Sequence, residues 1–149
     1  MAIKKDWAMF HHDIDVLIEM MGSYRPDIIV PLMVGGLVPA AIISEKLKIR
    51  DLRPISIERE GDIRRIVYDI QGVISLKDIL FVEDDVPSGK SLAYAKGICE
   101  ARGARCKTAA VYVTAQTRSL VDFFGECLNP LPDLPWKPSR SGDRIVQGV

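Results

Sequence analysis

Two short runs, Ile28-Ile29-Val30-Pro31-Leu32-Met33-Val34 and Ile79-Leu80-Phe81-Val82, are continuously apolar and end in glycine or acid. Unalternating runs of this length are expected of strands covered on both faces. Each is followed by a turn and then by helical spacing. Gly35-Gly36 leads into Leu37 to Leu47, with Pro39 tolerated in the first turn, and the second turn leads into Gly89 to Ala101, closed by Gly103. Ahead of them, Phe10, Ile14, Leu17, Ile18 and Met21 make one apolar stripe, which predicts an amphipathic helix from Trp7 to Met21. Pro54 to Glu58 and Lys107 to Thr114 are further strand candidates. Arg64 to Ile70 alternates as an exposed antiparallel strand does, and Arg59-Glu60-Gly61-Asp62 before it reads as a mobile charged turn. Strands alternating with helices imply an α/β fold, an open, mostly parallel sheet with right-handed crossovers. Four prolines between Asn129 and Pro138 exclude regular structure there and predict an extended lid or edge segment.

The chain has 149 residues, 48% of them hydrophobic, enough to bury one core without disulfides or metal, so residues 1–149 are expected to form a single domain. With 20 basic and 20 acidic side chains, no global field recruits nucleic acid or a membrane surface, and the expected partners are small molecules or proteins. Charge and two histidines precede any apolar stretch long enough for a signal peptide, which argues for a cytoplasmic protein. His11 and His12 read as surface or capping residues. Cys99, Cys106 and Cys127 are odd in number and lack CxxC spacing, as expected of isolated thiols in a reducing compartment.

Chemistry concentrates where the second apolar run ends, in Glu83-Asp84-Asp85-Val86-Pro87-Ser88-Gly89-Lys90-Ser91. Ligands of open α/β sheets bind at the carboxyl ends of strands. The turn offers backbone N–H groups, a helix N-terminus, two hydroxyls and an ammonium, all donors suited to a phosphate dianion. The acids suit sugar hydroxyls or a magnesium-bound polyol. A plain N-cap at Ser88 and a solvated acidic loop would read the same way.

The stretch from Ile79 to Ser91 resembles the 5-phosphoribosyl 1-pyrophosphate (PRPP) signature of type I phosphoribosyltransferases, which in purine-salvage members reads Val-Glu-Asp-x-x-Asp-Thr-Gly-Lys-Thr. Val34-Gly35-Gly36-Leu37-Val38-Pro39-Ala40 is similar to the Arg-Gly-Gly-Leu-Val-Pro-Gly pyrophosphate loop of bacterial xanthine-guanine phosphoribosyltransferases. Asp6-Trp7-Ala8-Met9, Thr117-Arg118-Ser119-Leu120-Val121-Asp122 and Pro135-Trp136 resemble that family's Thr-Trp-Asp-Met, Gly-Arg-Pro-Leu-Val-Asp and closing Pro-Trp. The resemblance implies the type I phosphoribosyltransferase fold with a small C-terminal hood or tail, Mg²⁺ as cofactor, PRPP and a nucleobase as partners, and a homo-oligomer. Position by position, it implies that Glu83 and Asp84 hold the ribose hydroxyls and Mg²⁺, that Ser88, Gly89, Lys90 and Ser91 cradle the 5′-phosphate, and that Val34, Gly35 and Gly36 form the pyrophosphate loop.

Four positions depart from the family. Pro87 stands where the general-base aspartate does, Val34 where the loop arginine does, Thr114 where the lysine that grips the purine 6-oxo group does, and Leu131 near the stacking aromatic. The tail is about two residues shorter than the family's, so Trp136 is a second candidate for the stacking platform. Arg59, Arg64 and Arg65 are candidates for the missing positive charge, on a segment where the family keeps a closing loop; a solvated charged hairpin is the plainer reading. The resemblance implies PRPP-dependent transfer to a purine or purine-like base. Its alternatives are a non-catalytic relative that senses PRPP or a nucleotide, and transfer involving a different ribosyl phosphate or a modified base.

Overall fold

The computed structural model describes residues 2–138. Helix α1 (Trp7–Met21) is capped by the Asp6 carboxylate, which accepts from the Met9 amide, and is followed by β1 (Ile28–Met33) and α2 (Leu37–Leu47). A hairpin of β2 (Ile55–Glu60) and β3 (Ile63–Tyr68) comes next, then β4 (Asp78–Val86), α3 (Lys90–Ala101), β5 (Arg105–Val113) and β6 (Phe123–Cys127). The six strands form one sheet in the order β3-β2-β1-β4-β5-β6, parallel except for β3.

Alternation within the buried strands divides the core in two. Ile28, Val30, Ile79 and Phe81 point to the face covered by Leu92, Ala95 and Cys99 of α3. Ile29, Leu80, Val82 and Val111 point to the other, covered by Phe10, Ile14 and Leu17 of α1 and Ala40 and Ile43 of α2. Both faces are therefore dry, which is why the strand runs are continuously apolar. On the α1 side the core contains a polar island. Lys5 Nζ lies 2.9 Å from Asp13 Oδ2 and 2.7 Å from Glu126 Oε2, and the fully buried Tyr112 donates its hydroxyl to Asp13 Oδ2 at 2.6 Å. These partners come from the N-terminal segment, α1, β5 and β6. No described helix is long and apolar enough to cross a membrane.

Two expectations from sequence need correction, and one strand is added to them. Strand β4 continues through the acids to Val86, because β5 stays paired with it as far as Val86↔Val113. The charged turn shrinks to Gly61-Asp62, since Arg59 and Glu60 remain in β2 and β3 already begins at Ile63. Strand β6 was not foreseen, its five residues Phe-Phe-Gly-Glu-Cys being too short and too mixed to show a period.

The glycine turn after β1 has no room for side chains. A Cβ on Gly36 would sit 2.0 Å from the Val82 carbonyl oxygen and 2.8 Å from the Leu32 nitrogen, both backbone atoms that cannot rotate away. Gly36→Ala is expected to destabilise the fold by about 3 kcal/mol or more, the upper end for overpacking. By contrast Gly97, mid-helix in α3 with nothing near its missing Cβ, should gain about 0.5–1 kcal/mol on replacement by Ala. Urea denaturation of both variants checks the contrast.

Candidate functional site

Strand β1 pairs with β4 from Ile28↔Ile79 to Pro31↔Val82, and its last residues pair with β2 instead. Beyond Val82, β4 is held by β5 alone. A crevice opens there at the carboxyl ends of the strands, between the two central strands from which the order runs outward in opposite directions, the usual ligand position in such sheets. The turn after β1 packs against the acid-bearing end of β4. The Gly36 amide donates to Leu32 O at 2.8 Å, and a Cβ on Gly35 would lie 2.6 Å from Asp84 Oδ1. Val34, before the glycines, is 70% exposed, and the Met33–Val34 peptide is cis.

Successive strand residues point to opposite faces, so the acids divide. Asp84 is buried at 3% exposure against the glycine turn. Its Oδ1 accepts the Asp85 amide at 2.7 Å, and its Oδ2 forms an ion pair with Lys137 Nζ at 2.5 Å without a hydrogen bond of ordinary geometry. Glu83 lines the opposite wall. Burial pushes its carboxyl well above the usual carboxylate range, the neighbouring charges of Asp84 and Asp85 add to this, and Lys137 partly offsets it.

Gly89 takes a left-handed conformation, φ +78°, to turn β4 into α3, and no side chain caps the helix. Ser88 Oγ makes only a long contact, 3.4 Å, with the Lys90 amide. The first-turn amides of α3 therefore remain directed at the crevice with the positive end of the helix dipole behind them. A cavity of about 200 Å³ borders this turn, walled by Arg59, Arg64, Glu83, Pro87, Ser88 and Ser91. Arg64 Nε lies 3.3 Å from Ser91 Oγ. Arg65 turns away to Glu58, at 2.8 Å and 2.9 Å.

The positions expected at the base are scattered. Thr114 is buried, its hydroxyl 3.1 Å from that of Thr117, which in turn donates to Val86 O, so it braces the end of β4. Leu131 is part of the core beside α1. Trp136 is half-buried with Lys137 Nζ 5.2 Å from its ring centroid, and its indole N–H has no partner among the described residues. Of the three, Trp136 alone stands next to a residue that reaches the acids. Lys137 itself was not anticipated. Its only signal in the sequence is a lone cation following a tryptophan within a proline-rich tail.

The sequence matches no protein-family model. The architecture is that of the type I phosphoribosyltransferase fold, a six-stranded open α/β sheet flanked by three helices. Solved structures share it over nearly the whole chain. A purine phosphoribosyltransferase from Pyrococcus horikoshii superposes with a TM-score of 0.85 at 22% identity, covering 99% of both chains. The xanthine-guanine-hypoxanthine phosphoribosyltransferase of Helicobacter pylori gives 0.77 at 18% identity, over 91% of this chain and 92% of that one. A Neisseria gonorrhoeae protein of undefined function, solved with bound ppGpp, gives 0.76 at 16%, over 94% and 91%. At these identities the likeness establishes the fold.

The raised carboxyl of Glu83 has a consequence for stability. The folded protein keeps a proton that the unfolded chain releases near pH 4.5, so stability falls as pH rises from there through the folded value. Glu83→Gln should remove this loss, making the ligand-free variant more stable than wild type at about pH 8 but not at about pH 4. Denaturation curves at the two pH values check this, and a wild-type-to-variant difference equal at both would show instead that Glu83 ionises freely in the fold.

Proposed function

We propose that the protein is a phosphoribosyltransferase that moves the 5-phosphoribosyl group of PRPP onto a purine or purine-like base and releases pyrophosphate. The observation that carries this reading is the packing of the glycine turn after β1 on the acid-bearing end of β4, with Gly35 against Asp84 and the uncapped start of α3 beyond. A ribose phosphate laid along β4 meets each donor in order. The amides and hydroxyls of Ser88 to Ser91 take the 5′-phosphate, and Glu83 and Asp84 accept from the ribose hydroxyls. The backbone of Val34 to Gly36 faces the pyrophosphate. The bond from C1 to the pyrophosphate oxygen breaks, the base nitrogen forms the new bond to C1, and the base's proton leaves to solvent, because Pro87 has no group to accept it. Catalysis then rests on positioning and electrostatics, the base-assisted share of about two to four orders of magnitude being forgone.

Magnesium fits these residues. The described residues hold no group of three or more His, Cys, Asp or Glu poised for a metal, but Mg²⁺ characteristically takes one or two carboxylates together with substrate phosphates. Glu83 and Asp84 would hold it against the ligand's oxygens, where a bound Mg²⁺ would supply positive charge to offset that of the leaving group. Lys137 on Asp84 marks the same spot as favourable to a cation. The purine part of the reading draws on the named purine phosphoribosyltransferases among the structural neighbours. Trp136 is the proposed stacking platform, with Thr114 and Leu131 set aside by their packing.

A second reading, a nucleotide-sensing relative without turnover, is favoured by Val34 and Pro87 in the reactive positions and by the neighbour solved with ppGpp. Pyrophosphate release from PRPP and Mg²⁺ over guanine, xanthine, hypoxanthine and adenine decides between them. Base-dependent release is expected; tight nucleotide binding with no release from any base would establish the sensor. If the leaving-group site is otherwise intact, Val34→Arg should tighten PRPP about ten- to a hundredfold, the worth of one charge-assisted contact, as read by calorimetry.

A further inference from the structure

The β2–β3 hairpin carries an imbalance of charge that the transfer reading leaves unused. On its inward face Ile57 pairs across from Ile66 and both pack on the core beside α3. The next pair on that face is Arg59 opposite Arg64, beyond the edge of the core. Directly opposed like charges destabilise an antiparallel pair unless something lies between them. Elsewhere several arginines each have a carboxylate, while Arg25 donates to backbone carbonyls and Arg118 stacks on Phe124. Arg65 has Glu58, Arg53 has Asp51, Arg102 has Asp69 and Arg105 has Asp78. Neither Arg59 nor Arg64 is ion-paired to a carboxylate among the described residues, and both wall the cavity whose floor is the turn Ser88-Gly89 with Ser91. Arg64 already touches that turn through Ser91 Oγ.

We propose that Arg59 and Arg64 form a two-guanidinium clamp for the phosphate monoester held by the turn before α3. The proposal rests on the phosphoribosyl reading of that turn and adds to it the hairpin as a second jaw. It assigns the arginines to the 5′-phosphate and not to the pyrophosphate whose loop arginine is replaced by Val34. The cavity they wall includes Ser88, Gly89 and Ser91 but none of Val34, Gly35 or Gly36. Guanidinium groups bind phosphate oxygens in pairs of parallel hydrogen bonds, so two of them can saturate the outer oxygens while the amides take the inner ones. The ligand class is a ribose 5-phosphate or nucleoside 5′-monophosphate, with selection against the unphosphorylated nucleoside.

Calorimetry with ribose 5-phosphate and, separately, with pyrophosphate tests this on wild type, Arg64→Ala, Arg59→Ala, Arg64→Lys and Arg65→Ala, with thermal melts to verify folding. Ribose 5-phosphate affinity should drop about tenfold or more in Arg64→Ala and Arg59→Ala, recover only in part in Arg64→Lys, and hold within about twofold in Arg65→Ala. Pyrophosphate affinity should not change. Three results overturn the clamp: unchanged ribose 5-phosphate binding in both alanine variants, an equal loss in Arg65→Ala, or a loss confined to pyrophosphate. If wild type itself binds no ribose 5-phosphate, the phosphate assignment of the turn falls and the clamp with it, an outcome distinct from wild-type binding that ignores the arginines.

Discussion

The arrangement at the crevice depends on one strand being paired on one side only. Up to Val82, β4 lies between β1 and β5; from Glu83 to Val86 it keeps β5 and loses β1. Had both neighbours ended together, the acids would stand on a loose loop. Had both continued, there would be no crevice. Pairing to β5 fixes Glu83 and Asp84 by strand geometry on opposite faces, and the Thr114–Thr117 turn anchors the last carbonyl of the strand through Val86. The glycine turn fills the space β1 vacates, and its closeness to Val82 and Asp84 is the reason for two glycines there.

Charge in the crevice is then distributed by elements remote in sequence. The acids come from β4, a lysine from the tail balances one of them, and two arginines reach in from the hairpin. Glu83 makes no ion pair of its own among the described residues and has a raised carboxyl pKa, because burial and the neighbouring charges of Asp84 and Asp85 outweigh the partial offset from Lys137. Ligand oxygens, a metal ion or both would change that balance, which is what a site for a charged, polyhydroxylated ligand requires. Lys137 shows that a single ammonium already satisfies part of the need.

Much of this was legible in the sequence. Helices α1 and α2 have the bounds that their apolar spacing predicts, and β1 and β4 follow from unalternating apolar runs. Both turns were readable because glycine, acid and hydroxyl residues sit at fixed offsets from those strands. What stayed hidden depends on tertiary neighbours. The extension of β4 through three acids contradicts strand propensity and is supplied by β5. Strand β6 is too short to carry a period. The split between Arg64 and Arg65 is a matter of hairpin register, fixed by where Ile57 and Ile66 meet the core, and the Lys137–Asp84 pair joins residues far apart in the chain.

The cluster of buried Lys5, Asp13 and Tyr112 with the part-exposed Glu126 bears on how the protein can be trimmed. Lys5 is 6% exposed and Asp13 5%, so neither charge has water to fall back on. Removing one partner of such a pair leaves the other stranded at a cost of about 3–5 kcal/mol, a large share of a small domain's stability. The segment before α1 also joins the tail, since Lys5 N–H donates to Asp133 O and Asp133 N–H to Ile3 O. The residues just ahead of the first helix are thus interior structure in the way a core strand is. A shortened version beginning at α1 would lose its hold on the tail that carries Trp136 and Lys137, and the crevice would be altered from the far side of the sheet.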